Sequence, residues 1–249
     1  MTFTIVARCR ASGQAGVALA TVSIAAGGLC PFYTQGGDIV VSQAYAHRLT
    51  GHRLAQALEK AAPRRAAFDE AVATAPHAGY RQILLLARDG TTLAHSGPDC
   101  RPWAGHLVED DVIVAGNVLA GAIVVESMLA AFKSSAGKPL AERLLAALES
   151  GRDAGGQAGP GGVMLSERSA MLRVLGSGEA AGCPELDLRV DLDNSAVHAL
   201  RDLHRIHATY DGYSQRRESD PPNSGSIVAF EAEHLRTDPA FGRRPSVYR

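Results

Sequence analysis

The order in which two hydrophobic periodicities alternate along the chain narrows the fold most. Thr2–Arg8 and Val17–Ile24 alternate with a period of two and are rich in β-branched residues. Between them lies Arg10-Ala-Ser-Gly-Gln-Ala-Gly16, so the segment predicts a β-hairpin. Ile39–Ala44 reads as a third strand. The pattern then changes to helical spacing over Arg48–Ala61 (Leu49, Leu54, Leu58) and Ala66–Ala75 (Phe68, Ala71, Val72). Strands resume at Gln82–Ala87, Thr91–His95 after the Asp89-Gly90 turn, and Asp111–Ala115. Two further helices follow at Ala122–Phe132 and Leu140–Leu148. Leu186–Val190 is a short strand, and Asp193 or Asn194 caps a helix reaching about His207. A doubly wound fold would alternate strand and helix singly. Hairpins followed by helix pairs instead point to an α+β protein with antiparallel sheets and helices grouped on their faces. A four-layer α-β-β-α sandwich fits that order.

Composition excludes several function classes. The chain has 249 residues, with 25 Lys and Arg against 26 Asp and Glu. That balance offers no electrostatic footprint for nucleic acid or an anionic membrane. The longest apolar run, Val112–Met128, is broken by Gly116-Asn117, Gly121 and Glu126, so no membrane span is expected. Cys9, Cys30, Cys100 and Cys183 are scattered without a CxxC, which argues against a zinc site, a redox pair or a disulfide framework. Residues 1–10 lack the apolar stretch of a signal peptide. A soluble, cytoplasmic protein without cofactor is the expectation.

Residues 1–210 read as one domain and residues 211–249 as an extension. From Asp211 the composition shifts, and Ser219-Asp-Pro-Pro-Asn-Ser-Gly225 reads as loop. The extension has six basic and six acidic residues, so it is no basic arm. Its apolar residues Ile227, Val228 and Phe230 sit in loop-rich surroundings. They are expected to need cover from a helical layer or another subunit, which predicts a homo-oligomer, most simply a dimer. His204 and His207 stand three apart on a helix, with no third metal ligand suggested. The glycine run 155–162 lacks the GxxxxGK[ST] pattern and reads as a flexible loop.

Several short motifs occur in a fixed order. They are Met1-Thr-Phe-Thr-Ile-Val-Ala-Arg8, Val17–Ala20 with Pro31, Gln43 after a strand, and Arg81-Gln82 before one. His95-Ser-Gly97, Cys100, Pro102-Trp-Ala-Gly-His106, Gly116-Asn-Val-Leu-Ala-Gly121 and Leu140-Ala-Glu-Arg-Leu-Leu follow. The set, running to about Ala208, resembles the bacterial domain of unknown function 1028 family, whose fold looks like the N-terminal nucleophile (Ntn) hydrolases. Two departures are plain. Gly155-Gly156 is followed by Gln157 where the family has aspartate, and Arg168 stands where it has glutamine before Ser-Ala.

The resemblance implies a nucleophile at the start of the chain, Thr2, exposed when Met1 is removed. Threonine paired with its own α-amine is a recognised activation scheme, and an amine pKa of about 7.7–8.0 leaves a useful neutral fraction near pH 7. The plain alternative is that threonine is a common second residue and a good strand former. Same-face residues of a strand lie about 6.6 Å apart, so Arg8 lies roughly 20 Å from Thr2 and suits structural pairing at the turn. A symmetric turn sets Ser23 opposite Thr2 and Thr21 opposite Thr4, making Ser23 and Thr21 the nearest hydroxyls. The hairpin supplies no lysine or acid there. Gln43 and Asn117 each end an apolar strand. A side-chain amide at such a place can donate to a developing oxyanion, or simply satisfy loop backbone or cap a helix. His106 can shuttle a proton, contact a ligand or hold a turn. Ser169 is assigned to binding on the resemblance alone. The reading is an Ntn hydrolase cleaving a small amide-type C–N bond through Thr2. The alternative is a non-catalytic ligand-binding or assembly protein on the same fold.

Overall fold

A computed structural model describes residues 1–237. The chain opens with an antiparallel hairpin, β1 (Thr2–Arg8) and β2 (Ala15–Thr21). Its register departs by two residues from a symmetric turn: Thr2 opposes Thr21 and Arg8 opposes Ala15. The turn is tighter than expected because the Cys9 N–H donates to the Gln14 carbonyl at 2.8 Å, which pulls Ala15 and Gly16 into the strand. Gly16 belongs there for a packing reason. A Cβ would lie 2.7 Å from Leu144 Cδ1 and 2.8 Å from the Arg173 carbonyl oxygen. Ser23 consequently falls beyond the strand end and is exposed, and Thr21 takes the place expected for it. Arg8 pairs with Asp111 at 2.6 Å, at the turn end.

The elements that follow are β3 (Pro31–Tyr33), β4 (Ile39–Ala44), α1 (Arg48–Glu59), α2 (Arg64–Thr74), β5 (Arg81–Leu86) and β6 (Thr92–Ser96). Next come β7 (Ala104–Glu109), β8 (Val112–Asn117), α3 (Ala122–Ser134) and α4 (Leu140–Asp153). Then β9 (Gln157–Ala158), β10 (Met164–Leu165), β11 (Ser169–Leu175), β12 (Pro184–Val190), α5 (Ala196–Ser219) and α6 (Ile227–Thr237) complete the described chain. The glycine-rich segment is thus partly ordered as the small β9–β10 pair.

The molecule is a mixed α and β protein. One sheet has six strands in the order β12-β11-β2-β1-β8-β7 and another four in the order β3-β4-β5-β6. All strand pairings within them are antiparallel. Alternation explains the core. Ile39 and Val41 of β4, with Leu84 and Leu86 of β5, pack with Val6, Val17, Leu19, Ile113 and Met171 of the larger sheet. Val40, Ile83 and Leu85 point the other way, onto Leu54 and Leu58 of α1 and Phe68 of α2. Being buried on both faces, β4 and β5 read as nearly unbroken apolar runs. Helices α3 and α4 pack together, and α4 lies on β1 and β2. This second helix pair comes close through Gly151, where a Cβ would approach Met128 Cγ to 2.6 Å.

The chain divides into two compact units, Met1–Leu200 and Arg201–Arg249. The second corrects two expectations. The helix expected to end near His207 continues to Ser219, and Ile227, Val228 and Phe230, expected in loop-rich surroundings, lie on α6, which runs to Thr237; residues 238–249 lie outside the described residues. Phe230 has local cover instead of lying in bare loop. Its ring stacks on Tyr213 at 4.7 Å and tilts against Tyr210 at 5.0 Å. Tyr210 and Tyr213, three residues apart, share a helix face, which is how a mostly polar segment sustains a helix. Among the described residues no helix is long and apolar enough to cross a membrane.

Candidate functional site

Four strands carry neutral polar residues at one end of an apolar run, and the two sheets bring those residues together. Thr2 and Thr4 lie on β1, Gln43 on β4, Gln82 on β5 and Asn117 on β8. All are buried, none more than 5 % exposed. Gln82 is the hub. Its Nε2 faces the Gly116 and Gly105 carbonyls at 2.7 and 3.2 Å, and carbonyls accept only from N–H, which fixes the orientation of this amide. Gln82 Oε1 must then accept, and it does so from Gln43 Nε2 and Asn117 Nδ2, each at 2.9 Å. Gln43 Oε1 in turn accepts the Thr4 hydroxyl at 2.6 Å. With two N–H groups for three acceptors, Gln82 Nε2 shares one of them between the Gly105 carbonyl and Ser96 Oγ, which lies at 2.9 Å, and Ser96 Oγ lies 2.8 Å from His106 Nδ1. A continuous chain of neutral hydrogen bonds therefore runs from the first strand to His106. Burial, and secondarily His95, lowers the His106 pKa below 6.5, which favours the neutral ring.

Thr2 sits in register between Thr21 and Asn117. Its hydroxyl donates to Thr21 Oγ1 at 3.3 Å, and Thr21 Oγ1 donates to the Met1 carbonyl. The Ser23 N–H also donates to Thr21 Oγ1, at 3.2 Å. Thr21, Asn117, Gln43 and His106 thus join one neighbourhood, directly or through Gln82 and Ser96. Ser23 and Ser169 do not enter that chain with their side chains. Ser169 Oγ donates to the Ser23 carbonyl at 2.7 Å and accepts the Ala26 N–H at 3.3 Å, fastening the loop after β2.

A cavity of about 170 Å³ opens beside the first residue, lined by Met1, Ala44, Tyr45, Arg101, Asn117 and Val118. Its rim is conformationally unusual. Ala44 and Val118 hold left-handed backbones, with φ of 69° and 55°. For a β-branched residue that conformation is strained, and such strain gathers at functional sites. Val118 is held from both sides, its N–H on the Arg101 carbonyl at 3.2 Å and its carbonyl accepting from Ala158 at 3.0 Å. The Met1 amine is partly buried here. That burial is the main cause of its lowered pKa, with Arg101 adding to it and Cys30 and Cys100 opposing. Burial also raises the thiols, Cys30 to about 11, so neither is an activated nucleophile.

Sequence reading missed Gln82 as a site residue, and Tyr45, Arg101 and Gln157 as well. The signal for Gln82 was present: a lone amide heading Ile83-Leu-Leu-Leu86 repeats the pattern of Gln43 and Asn117. Gln157 is fully buried, accepts the Val22 N–H at 2.9 Å and bridges to Leu119, so it ties the loop after β2 to the loop after β8. Among the described residues no group of three or more His, Cys, Asp or Glu could hold a metal ion.

A family model described as a family of unknown function, DUF1028, matches residues 2–200. The chain belongs to this family. Protein SPO2555 from Silicibacter pomeroyi, of the same family, is similar in structure, with a TM-score of 0.73 and 26 % identity over 84 % of this chain and 87 % of that one. Anbu, the ancestral beta-subunit from Yersinia bercovieri, aligns over 83 % of this chain and 96 % of its own at 14 % identity. Its TM-score of 0.38 is too low to carry an argument. No curated protein matches.

Proposed function

We propose that this chain is a ligand-binding protein on an Ntn-type α-β-β-α sandwich, with the cavity at Asn117 and Val118 as its binding site. The fold reading draws on the two sheets sharing one core, each with a helix pair on its other face. The observation behind the binding reading is the neutrality of the hydrogen-bonded group around Thr2. Thr4, Gln43, Gln82, Asn117, Ser96 and His106 form one hydrogen-bonded chain and Thr2 with Thr21 a separate pair beside it, neither containing a carboxylate or lysine. The Thr2 hydroxyl proton goes to another hydroxyl, not to a base. An acyl-transfer nucleophile needs a base within reach. On a chain bearing Met1 the Thr2 nitrogen is an amide with no basic lone pair.

One observation favours a second reading, hydrolysis through Thr2. Thr2 lies in register with Asn117, which keeps one amide N–H after donating the other to Gln82 and borders the cavity. On a chain starting at Thr2, the hydroxyl would attack an amide carbonyl and the freed amine would take its proton. Asn117 would steady the oxyanion, the C–N bond would break as the α-ammonium gives its proton to the departing amine, and water would then hydrolyse the resulting ester to the acid and free Thr2. Assaying small amides and ureido compounds with protein of verified Thr2 start separates the two. The binding reading expects no turnover that differs between the parent and Thr2→Ala. Turnover abolished by Thr2→Ala and partly kept by Thr2→Ser would establish the second.

A further inference from the structure

Resting on the binding reading, we propose that the cavity takes a small organic carboxylate, its charge met by Arg101 and its stem lying against Tyr45 and Val118. Charge comes first. Arg101 makes no ion pair with an acidic side chain among the described residues, although Arg8, Arg10, Arg64 and Arg152 each do. Its guanidinium lies 5.8 Å from the Tyr45 ring centre, which positions the cation over an aromatic face without using up its N–H donors. None of the six lining residues is acidic, and apart from Arg101 their side chains are neutral. A cation with no acidic side chain against it, facing one small cavity, calls for an anion.

Shape and polarity choose among anions. Ala44, Tyr45, Val118 and Met1 give the cavity an apolar wall, so an oxyanion alone would leave that wall wet. A carboxylate matches the planar fork of arginine and supplies an organic stem for the wall. Asn117 adds a neutral donor, its remaining amide N–H, at the junction of both halves. At about 170 Å³ the space suits a compact acid and not a nucleotide or a peptide.

The test is calorimetric titration of the full chain, its intact mass recorded, with benzoate, with its neutral counterpart benzamide, and with inorganic phosphate. Arg101→Gln and Arg101→Lys are run beside the parent. Arg101 is exposed, so both variants are expected to fold, and an unchanged unfolding midpoint checks that. Benzoate should bind at least about tenfold more tightly than benzamide. Arg101→Gln should erase about that factor for benzoate and leave benzamide unchanged, with Arg101→Lys between. Equal binding of benzoate and benzamide overturns the carboxylate and leaves the binding reading intact. Phosphate competing with benzoate at equal or lower concentration also overturns it, in favour of a bare oxyanion site. Absence of binding by all three overturns it too. The binding reading itself then stands or falls on a chemically unbiased fragment screen.

Discussion

The side-chain carbonyl of Gln82 accepts the amide of Asn117 at 2.9 Å, while the nitrogen of the same Gln82 holds the Gly116 carbonyl at 2.7 Å, one residue away from Asn117. One fully buried amide thus fixes both the side chain that borders the cavity and the backbone that carries it. Replacing Gln82 by leucine removes the partner of two buried amides, a hydroxyl and two backbone carbonyls at once. Leaving buried polar groups unsatisfied should cost about 3 kcal/mol of unfolding free energy. Gln82→Glu should also destabilise, because a carboxylate accepts from Gln43 and Asn117 but cannot donate to the two glycine carbonyls. Urea denaturation measures both. A loss below about 0.5 kcal/mol for Gln82→Leu would show that the network contributes little.

Val118 tests whether the cavity rim stores strain. A left-handed backbone costs a β-branched residue roughly 1–2 kcal/mol, and glycine almost nothing. Val118→Gly should therefore be neutral to slightly stabilising despite the lost side chain. The same change at Val114, fully buried in β8, should cost about 3 kcal/mol or more. Equal losses at the two positions would remove the strain argument.

Histidine 106 gives a pH signature with a definite sign. Burial lowers its folded pKa below the unfolded value of about 6.5, so the unfolded chain binds the extra proton. Its contribution to stability is present above pH 6.5 and is lost as pH falls through the folded value. His106→Asn should flatten that part of the stability curve. A stability curve as steep in His106→Asn as in the parent between pH 7 and pH 5 would assign the proton elsewhere.

Gly97 follows Ser96, the link between Gln82 and His106. A Cβ there would stand 2.3 Å from the Gly79 carbonyl oxygen and 2.4 Å from that of Ala78. Neither backbone can yield as a flexible side chain would. Gly97→Ala should cost about 2 kcal/mol and perturb the His106 environment. Thermal unfolding and the His106 proton resonances read the two effects separately, and an unshifted resonance in a destabilised variant would uncouple the turn from the chain.

Much of this architecture is legible in the sequence because strand and helix periods differ. Thr2–Arg8 and Ile39–Ala44 begin and end in the structure where their alternation says they should. The hairpin register was not legible, since Ala15 and Gly16 look like turn residues until α4 is laid against them and Leu144 needs the missing Cβ. Gln43 and Asn117 stand out as amides closing apolar runs. Their shared partner Gln82 emerges only when the two sheets face each other. Likewise α6 was hidden because its stabilising contact, Phe230 on Tyr213, spans a proline-containing loop that no local pattern can see across.

Amide chemical-shift mapping with a fragment library tests the central claim, that the cavity beside Asn117 and Val118 is where this protein binds its ligand. The spectra of the full chain would be followed at Tyr45, Arg101, Val118 and the Asn117 side-chain amide. The account expects fragments to shift these signals together, and Asn117→Leu to abolish the response while the chain stays folded. Fragments that instead gather in the charged cleft of Arg10, Asp110 and Lys133, or that shift no signal at the cavity, would contradict it.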